Sequence, residues 1–225
     1  MFPDKLSSYG FRGEALAALC ILGDVSITTK TSTDSLAMMY TIDAHGIPIS
    51  SKPSHLNKGT IITVNNLFGR LPVRKQYLSS KKRLAEELKK VEQVVQSLAA
   101  IKPELRMILV HNNCTIWQKN SVKDLKQSFM QIIGLKIAIQ LEYLYETSDQ
   151  VVIDLMIPKK NLENIESLLI SNASSMYIYV NRRPVNYKNI SKVRIFIFKK
   201  PGISFKLEIF YCRLSRNIYF TIIVT

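Results

Sequence analysis

A glycine-hinged loop leads directly into an apolar helix at Gly10-Phe11-Arg12-Gly13-Glu14-Ala15-Leu16. Gly10 and Gly13 can adopt positive φ and leave room against the backbone. The helix predicted from about Glu14 to Leu22 begins with NH groups that have no partner inside the helix. Those donors and the positive end of the helix dipole attract anions. The stretch therefore predicts a phosphate-binding loop, although a Gly-x-x-Gly turn can also do no more than start a helix.

Three further segments follow this loop in order. They are Gly59-Thr60 at the head of a strand over 61–64, Leu67-Phe68-Gly69-Arg70-Leu71-Pro72-Val73-Arg74-Lys75-Gln76, and Tyr179-Val180-Asn181-Arg182-Arg183-Pro184-Val185. Together, the four segments resemble the MutL/PMS family of DNA mismatch repair proteins. Two shorter segments look most like the PMS branch: Lys52-Pro53-Ser54-His55-Leu56 and Ile116-Trp117-Gln118-Lys119. The likeness covers roughly residues 7 to 195.

The resemblance implies an α/β (α+β) fold in two domains with a tail. Residues 1–70 would be the later portion of a GHKL-type ATP-binding domain. Residues 71–195 would form a second α/β domain with the fold of domain 2 of small-subunit ribosomal protein five. Residues 196–225 would be a divergent basic and apolar tail. Without the family's early helices and strands, we expect exposed apolar surface and a nucleotide pocket open on one side.

The resemblance also assigns residues to an ATP site and shows what the site lacks. The phosphate-facing residues would be Gly10, Phe11, Arg12, Gly13, Glu14, Ala15 and Leu16, with Thr60 at the fourth ATP-site motif. Arg12 could balance phosphate charge or pair with Glu14, whose own charge argues against direct phosphate contact. The family's catalytic and metal-holding E-x-x-x-N motif and its adenine-reading D-x-G-x-G motif are absent from the 225 residues.

These absences predict a chain without catalytic or metal-binding residues of its own. Asp43-Ala44-His45-Gly46 comes nearest to the adenine-reading motif but has the wrong spacing. In the complete family protein the cofactor is ATP with magnesium. Hydrolysis needs a positioned base and a metal to neutralise phosphate charge. We therefore expect an amino-terminal fragment that does not hydrolyse ATP alone.

Composition favours a polyanionic partner. The chain has 31 Lys and Arg against 17 Asp and Glu, a formal net charge of +14. Such an excess favours nucleic acid over membrane, although solvated surface charge explains it equally well. Three scattered cysteines and three isolated histidines suggest neither a disulfide framework nor a metal site. No signal peptide is visible, and the uncharged run 217–225 is too short to span a membrane.

The periodicity predicts an alternation of strands and helices. A helix over about 79–101 has its apolar residues at three- and four-residue intervals, with Ser79 or Ser80 as a cap. The apolar residues are Leu84, Leu88, Val91, Val95, Leu98 and Ile101. Its approach and opposite face are basic, which fits either a solvated face or contact with a DNA backbone. A hairpin turning at Asn112-Asn113 follows, and then a helix over 122–133 between Ser121 and Gly134. Strands are predicted near 25–30, 38–43, 60–67, 139–145, 151–157 and 177–180.

The segment Asn181-Arg182-Arg183-Pro184-Val185 predicts a contact with DNA phosphates. In the family this segment ends a strand beside a basic groove implicated in DNA contact, and Arg182 stands where glycine is common. Arginine makes the turn less permissive and adds charge. The predicted DNA-binding residues are Arg182, Arg183, Lys188 and Lys192, which would fix position without reading sequence. Alternatively, Arg183 only anchors the strand end by ion pairing.

Two functions remain open from the sequence. The first is a nuclear mismatch repair protein of the MutL/PMS type, with DNA, a MutL-type paralogue as heterodimer partner and a MutS-type mismatch-recognition complex as partners. The second is a non-enzymatic basic module that binds nucleic acid through its second domain alone. For residues 196–225, we favour a non-native, aggregation-prone ending over a strand pair added to the second domain.

Overall fold

A computed structural model describes residue 10 and residues 13–147, 151–159, 176–184 and 218–224. The chain divides into two compact units, Met1–Glu87 and Leu88–Thr225. The division falls within a long helix, 17 residues beyond the boundary at 70 that the sequence suggests.

The first unit is built on a four-stranded antiparallel sheet preceded by a short helix. Its strands lie in the order β3-β2-β1-β4. The elements are α1 (Glu14–Leu22), β1 (Asp24–Lys30), β2 (Ala37–Ile42), β3 (Pro48–Ser54), β4 (Gly59–Asn65) and α2 (Pro72–Leu78), and α3 (Lys81–Ala100) begins in this unit. The helix α1 and three of the strands follow the predicted positions within a few residues, whereas β3 and α2 were not predicted.

Strand β3 exists because Asp43 fixes the turn before it. The Asp43 carboxylate accepts hydrogen bonds from the NH groups of His45 and Ile47, at 2.9 and 2.8 Å. Gly46 takes φ +83°, a left-handed conformation that glycine adopts without strain. These bonds reverse the chain so that β3 pairs with β2 despite its two prolines.

Much apolar surface of the first unit is exposed, as expected from the sequence. Ile61 and Ile62 on β4 are 49% and 51% exposed. Helix α1 is apolar along most of its length, yet only Cys20 is buried in it. A helix that is apolar all round normally lies inside a protein core. In this unit, apolar surface of α1 and of β4 stays exposed to solvent instead.

The second unit combines a five-stranded sheet, a separate hairpin and packed helices. The sheet order is β10-β9-β11-β8-β7, and β5 pairs with β6. Its elements are the end of α3, then β5 (Met107–His111), β6 (Cys114–Lys119), α4 (Leu125–Ile133), α5 (Leu135–Ala138), β7 (Leu141–Thr147), β8 (Val151–Pro158), β9 (Met176–Val180), β10 (Arg183–Pro184) and β11 (Ile218–Val224). The predicted hairpin turn at Asn112-Asn113 is confirmed, with φ values of 48° and 62°.

Strand β11 lies in the middle of this sheet. It pairs parallel to β8 over Ile218–Ile223 and antiparallel to β9 over Phe220–Val224. Residues 218–224 therefore add to the second unit's sheet, as in the alternative of an added strand pair. The non-native origin of the ending stays a prediction. The other predicted strand of that pair, around 195–198, lies outside the described residues. Pairing partners so far apart in sequence cannot be read from periodicity.

The C-terminal end of α3 is tied into the core by side chains that bind its carbonyl groups. Tyr179 donates to the Ser97 carbonyl at 2.8 Å, and Ser128 donates to the Ala100 carbonyl at 2.8 Å. Lys119 donates to three carbonyls of the following loop, those of Lys102, Pro103 and Leu105. Carbonyl groups in the last turn of a helix have no hydrogen-bond partner inside the helix, so these side chains supply donors that the helix itself lacks. The core around them comprises Ala100, Ile101, Phe129, Leu141, Met156 and Tyr179.

The structure refines three sequence predictions about the helices. Leu84 and Val91 on the predicted core face of α3 are 46% and 49% exposed, because the helix enters the core only near Ala99 and Ala100. Of the two predicted caps of α3, Ser79 donates its hydroxyl to the Gln76 carbonyl at the end of α2. Ser80 stands directly before α3, and its carbonyl accepts from Leu84 N at 2.9 Å. The N-cap of α4 is Asp124, three residues after the predicted Ser121, and it accepts from Gln127 N at 2.8 Å.

The pair Tyr143 and Asp154 makes the second unit sensitive to alkali. Burial and the hydrogen bond to Asp154 raise the pKa of Tyr143 to about 12. In an unfolded chain the pKa of tyrosine is about 10. Between pH values of about 10 and about 12, the folded state therefore keeps a proton that the unfolded state has lost, and the free energy of unfolding falls as pH rises. Tyr143 is 46% exposed, so solvent screening limits the loss to about 1 kcal/mol.

The Tyr143→Phe variant should lose less stability than the wild type between about pH 9 and about pH 11, since phenylalanine does not ionise. Urea unfolding followed by circular dichroism at both pH values measures the difference. Equal losses in the two proteins would show that Tyr143 does not set this dependence.

Candidate functional site

The predicted phosphate loop ends at Gly13, which the structure places at the start of α1. Gly13 has φ +66°, and α1 has no side-chain cap there. The first helical bond runs from Ala17 N to the Gly13 carbonyl at 3.0 Å. Among the described residues, apart from their own chain neighbours, no heavy atom lies within 4 Å of a Cβ built on Gly10 or Gly13, so there is open space against the backbone. Glu14 and Ala15 are exposed and Leu16 is half-buried, whereas Phe11 and Arg12 lie outside the described residues.

Thr60 lies in the sheet of the same unit. Its hydroxyl is 2.9 Å from that of Thr29 on β1, and Thr29 also donates to the Gly59 carbonyl at 3.3 Å. The described contacts of Thr60 therefore belong to the β1–β4 pair. They do not bring it against Gly13.

An open cavity of about 330 Å³ lies elsewhere in the first unit. Its lining residues are Lys30, Leu36, Ala37, Ser54, His55, Leu56 and Asn57. None of them belongs to the predicted ATP site. Lys30 is already engaged, donating to the Ser35 carbonyl at 3.0 Å. The cavity therefore adds no support for a nucleotide at the predicted loop.

The predicted DNA-binding segment forms a tight hairpin in the second unit. Asn181 and Arg182 both have positive φ, 50° and 61°, and Arg183 pairs with Val180. This is the conformation of a two-residue type I′ turn, where glycine is favoured second. Arg182 is exposed and Arg183 is half-buried. Lys188 and Lys192, and the short helix that the sequence predicts over about 187–193, lie outside the described residues.

Replacing Arg182 by glycine should stabilise this hairpin. A non-glycine residue in the left-handed conformation costs about 1 kcal/mol, and Arg182→Gly removes that cost. Arg183→Gly is the matched control: it removes the same charge from a strand position, where glycine should be destabilising by roughly 0.5 to 1 kcal/mol. Urea unfolding of both variants gives the comparison. A loss of stability in Arg182→Gly as large as in the control would contradict the strain argument.

A cluster of cations lies around the junction of α2 and α3 in the first unit. We call it the basic segment; its residues are Arg74, Lys75, Lys81, Lys82 and Arg83, and all are exposed. The Arg83 guanidinium lies 4.1 Å from the centroid of the Tyr77 ring, and that of Arg74 lies 5.7 Å from the centroid of Phe68. Aromatic contacts of this kind orient the guanidinium groups while leaving their charge available to solvent.

Sequence reasoning missed the backbone strain in the turn before the basic segment. Phe68 has φ +64°, unusual for a bulky residue, and its NH donates to the Leu22 carbonyl at 2.8 Å. A Cβ on Gly69 would lie 2.9 Å from the Asn66 carbonyl oxygen, so only glycine fits there. The sequence contains Asn66 and Gly69, two residues typical of turns, but nothing in it marks Phe68 as left-handed.

Within the described residues, no group of three or more His, Cys, Asp or Glu side chains is arranged to hold a metal ion. In the same part of the chain, the helices lack the length and apolar character needed to cross a bilayer.

Similar solved structures define the class of fold. The chain is similar to the ATPase domain of Aquifex aeolicus MutL complexed with ADP, with a TM-score of 0.58 and 14% identity over 95% of this chain and 72% of that chain. It is also similar to the N-terminal domain of a DNA repair protein, with a TM-score of 0.66 and 19% identity over 96% and 64% of the two chains. This protein therefore has the mixed α/β fold of a MutL-type GHKL ATPase domain, as the resemblance implied.

Sequence relatives give the family. The chain is 38% identical over 192 residues to human PMS1 protein homolog 1, covering 84% of this chain and 20% of that protein. It is 30% identical over 202 residues to DNA mismatch repair protein pms1 of Schizosaccharomyces pombe, covering 87% and 24%. No family model matches the chain. The chain belongs to the MutL/PMS family of DNA mismatch repair proteins, and it spans about a fifth to a quarter of the length of these relatives.

Proposed function

We propose that this chain acts in DNA mismatch repair as a MutL/PMS-type protein that binds the phosphates of ATP at Gly10–Leu16 without hydrolysing ATP alone. The observation that carries the proposal is Gly13, which starts α1 in a left-handed conformation with open space against its backbone. A helix start of this kind presents NH groups to an anion. The relatives named above supply the context in which that anion is ATP.

The residues of this chain fit the phosphates of ATP better than they fit the rest of the nucleotide. Backbone NH groups of the first turn of α1 would hold the phosphates, and Gly10 and Gly13 leave room for them. Bound magnesium would neutralise charge on the phosphates, but no described residue cluster is arranged to hold it. Thr60 remains a proposed second contact, reached only if the sheet and loop approach each other around the nucleotide.

Binding without turnover is the biochemical signature of this proposal. A nonhydrolysable ATP analogue with magnesium should bind in isothermal titration calorimetry, whereas ATP should release no phosphate above the buffer rate. The reason is that the sequence lacks the family's base and metal-ligand motif. Magnesium-dependent turnover that persists through successive purification steps would show that another residue supplies the base.

We also propose that the chain contacts the DNA backbone through two groups of cations. The first group is the basic segment. The second group consists of Arg182 and Arg183 together with Lys188 and Lys192, of which the two lysines lie outside the described residues. Exposed lysine and arginine bind phosphates by charge and release counterions, which makes affinity fall with salt. The exposure of the basic segment and the net charge of +14 support this role.

The remaining parts of the proposal concern partners and location. Human and plant PMS1 proteins are among the similar proteins. By that relationship we propose a nuclear location, a MutL-type paralogue as heterodimer partner and a MutS-type mismatch-recognition complex as a further partner. Co-precipitation of such a paralogue from nuclear extract with the tagged chain, and its absence with an unfolded variant, tests the pairing.

A further inference from the structure

The connector between α2 and α3 consists of two exposed serines, Ser79 and Ser80. The Ser79 hydroxyl is held at the end of α2, where it donates to the Gln76 carbonyl at 2.6 Å. The Ser80 carbonyl accepts the first backbone bond of α3, from Leu84 N at 2.9 Å. Ser80 is therefore the N-cap residue of α3, and it is open to solvent.

The segment around Ser80 can leave its helical conformation at little cost. No residue of α2 is buried, and residues 81–86 at the start of α3 are all exposed. A segment with few buried apolar contacts has a low free energy of local unfolding. An enzyme that binds its substrate as an extended segment can therefore reach the Ser80 hydroxyl while the rest of the chain stays folded.

Cations of the basic segment flank Ser80 on both sides. Lys81, Lys82 and Arg83 follow it directly, and Arg74 and Lys75 precede it within α2. The first turn of α3 contains no acidic residue. Cations at the start of a helix lie at the positive end of the helix dipole, where an anion is favourable instead. The start of α3 therefore concentrates positive charge that no acidic residue of its own turn balances.

Arg83 stands where its side chain would meet an anion on Ser80. It is the third residue of α3, and in a capping box the side chains of the N-cap and third residues reach back to each other's backbone. The Arg83 guanidinium lies 4.1 Å from the centroid of the Tyr77 ring on α2, so it is oriented across the connector. A phosphate on Ser80 would accept charge-assisted hydrogen bonds from Arg83 and from the first NH groups of α3.

We propose that Ser80 is a phosphorylation site for a serine/threonine kinase that selects basic segments, and that the phosphate weakens the contact of the basic segment with DNA. The kinase uses ATP. The Ser80 hydroxyl oxygen attacks the γ-phosphorus, the bond from that phosphorus to the bridging oxygen breaks, ADP leaves, and the hydroxyl proton passes to the carboxylate base of the kinase. An acidic substrate groove selects the flanking cations by charge. The effect on DNA rests on the DNA contact proposed above, whereas the modification itself does not.

The phosphate acts on DNA binding through its charge. It carries about −1.5 to −2 at pH 7, which offsets about two of the five positive charges of the basic segment. Fewer cations then release counterions from the DNA. We expect the affinity for a duplex to fall roughly tenfold, and the slope of log affinity against log salt to fall by about 2.

Treatment of the full chain with a purified basic-directed kinase and magnesium-ATP tests the site. Tandem mass spectrometry should place one phosphate per chain on Ser80. Neutralising the three cations that follow Ser80 should slow its phosphorylation at least roughly tenfold, because the kinase loses the charge that it selects; this variant is Lys81→Gln/Lys82→Gln/Arg83→Gln. The matched control removes the same charge elsewhere and should leave the rate unchanged; it is Lys123→Gln/Lys126→Gln/Lys136→Gln. Phosphate mainly on another residue, or equal rates in the two variants, would overturn the assignment.

Fluorescence anisotropy with a labelled duplex tests the effect on DNA binding. The phosphorylated wild type should bind roughly tenfold more weakly than the same protein after phosphatase treatment. Kinase-treated Ser80→Ala should bind as tightly as the untreated variant. Unchanged affinity of the protein phosphorylated on Ser80 would overturn the effect on DNA while leaving the DNA contact in place.

Amide hydrogen exchange separates this proposal from the DNA contact on which its second half rests. Phosphorylation should slow exchange at residues 82 and 83 without any DNA, because an N-cap oxygen accepts from the second and third NH groups of a helix. An unmodified chain that does not bind the duplex would overturn the DNA contact and its regulation, while a phosphate on Ser80 with slowed exchange would still support the site. Unchanged exchange in the phosphorylated chain would contradict the placement of the phosphate at the start of α3.

Discussion

Replacing Lys119 by methionine should destabilise the second unit by about 3 kcal/mol, because it removes the donor of three partly buried hydrogen bonds to loop carbonyls. The Lys119 side chain is fully buried, and its ammonium group donates to three carbonyls at 2.9, 3.1 and 2.9 Å. Burial lowers the pKa of Lys119, which the nearby Glu104 carboxylate opposes. Three N–H donors meet three acceptors, so the ammonium is fully satisfied where it lies. Methionine fills a similar volume but donates no hydrogen bond.

Lys102→Met is the matched control for this prediction. Lys102 belongs to the same loop, and its ammonium forms a partly exposed ion pair with Glu104, at 3.7 Å. Such pairs contribute about 0 to 1 kcal/mol. Urea unfolding measures both variants, and near-ultraviolet circular dichroism of Trp117 follows the second unit. Similar unfolding midpoints for Lys119→Met and the wild type would show that the carbonyls find water instead.

Reversing three charges of the basic segment should weaken DNA binding by roughly a hundredfold and lower the slope of log affinity against log salt by about 3. The variant is Arg74→Glu/Lys75→Glu/Arg83→Glu, which changes exposed side chains. Each lost phosphate contact removes about one released counterion, so affinity and salt slope should fall together. Fluorescence anisotropy with a labelled duplex over a series of salt concentrations measures both quantities.

The control for this experiment carries the same change in net charge elsewhere. Lys123, Lys126 and Lys136 are also exposed, on the segment of α4 and α5. Their triple reversal to glutamate should weaken binding only through the loss of general attraction. If both triple variants lose affinity and slope equally, net charge alone explains the binding and the basic segment has no particular role.

Local sequence features predicted local structure well. Residues that favour turns and helix ends predicted three features: the Asn112-Asn113 turn, the end of α4 at Gly134 and the span of α1. Strand β3 was missed because Pro48, Ser50, Ser51 and Pro53 give it little β propensity, and its pairing depends on the turn that Asp43 holds. Strand β11 lies between β8 and β9 because it pairs with strands that are distant in the sequence, and no local pattern predicts such pairing.

The candidate site was predictable to a similar extent. The left-handed Gly13 at the start of α1 and the positive φ of Arg182 fall where the sequence marked them, whereas the phosphate-binding role of the loop stays a prediction. The burial of Lys119 was not, because a lysine that ends an alternating strand usually points to solvent. Its role depends on the loop carbonyls of 102–105, which come near only when β6 packs beside the end of α3. The domain boundaries and the ribosomal-protein likeness of the second domain stay predictions.

The central claim is that the loop at Gly10–Leu16 holds the phosphates of ATP. Gly13 and Gly46 both have positive φ and open space around them, so Gly13→Val and Gly46→Val impose comparable strain at the loop and away from it. If the loop binds nucleotide, the first variant should lose binding and the second should keep it.

Amide hydrogen exchange with a nonhydrolysable ATP analogue and magnesium tests this claim most directly. We expect the analogue to protect residues 9–18 in the wild type and in Gly46→Val, and to leave exchange unchanged in Gly13→Val. Unchanged exchange over 9–18 in the wild type at millimolar analogue would contradict the claim and leave a basic module that binds nucleic acid without a nucleotide.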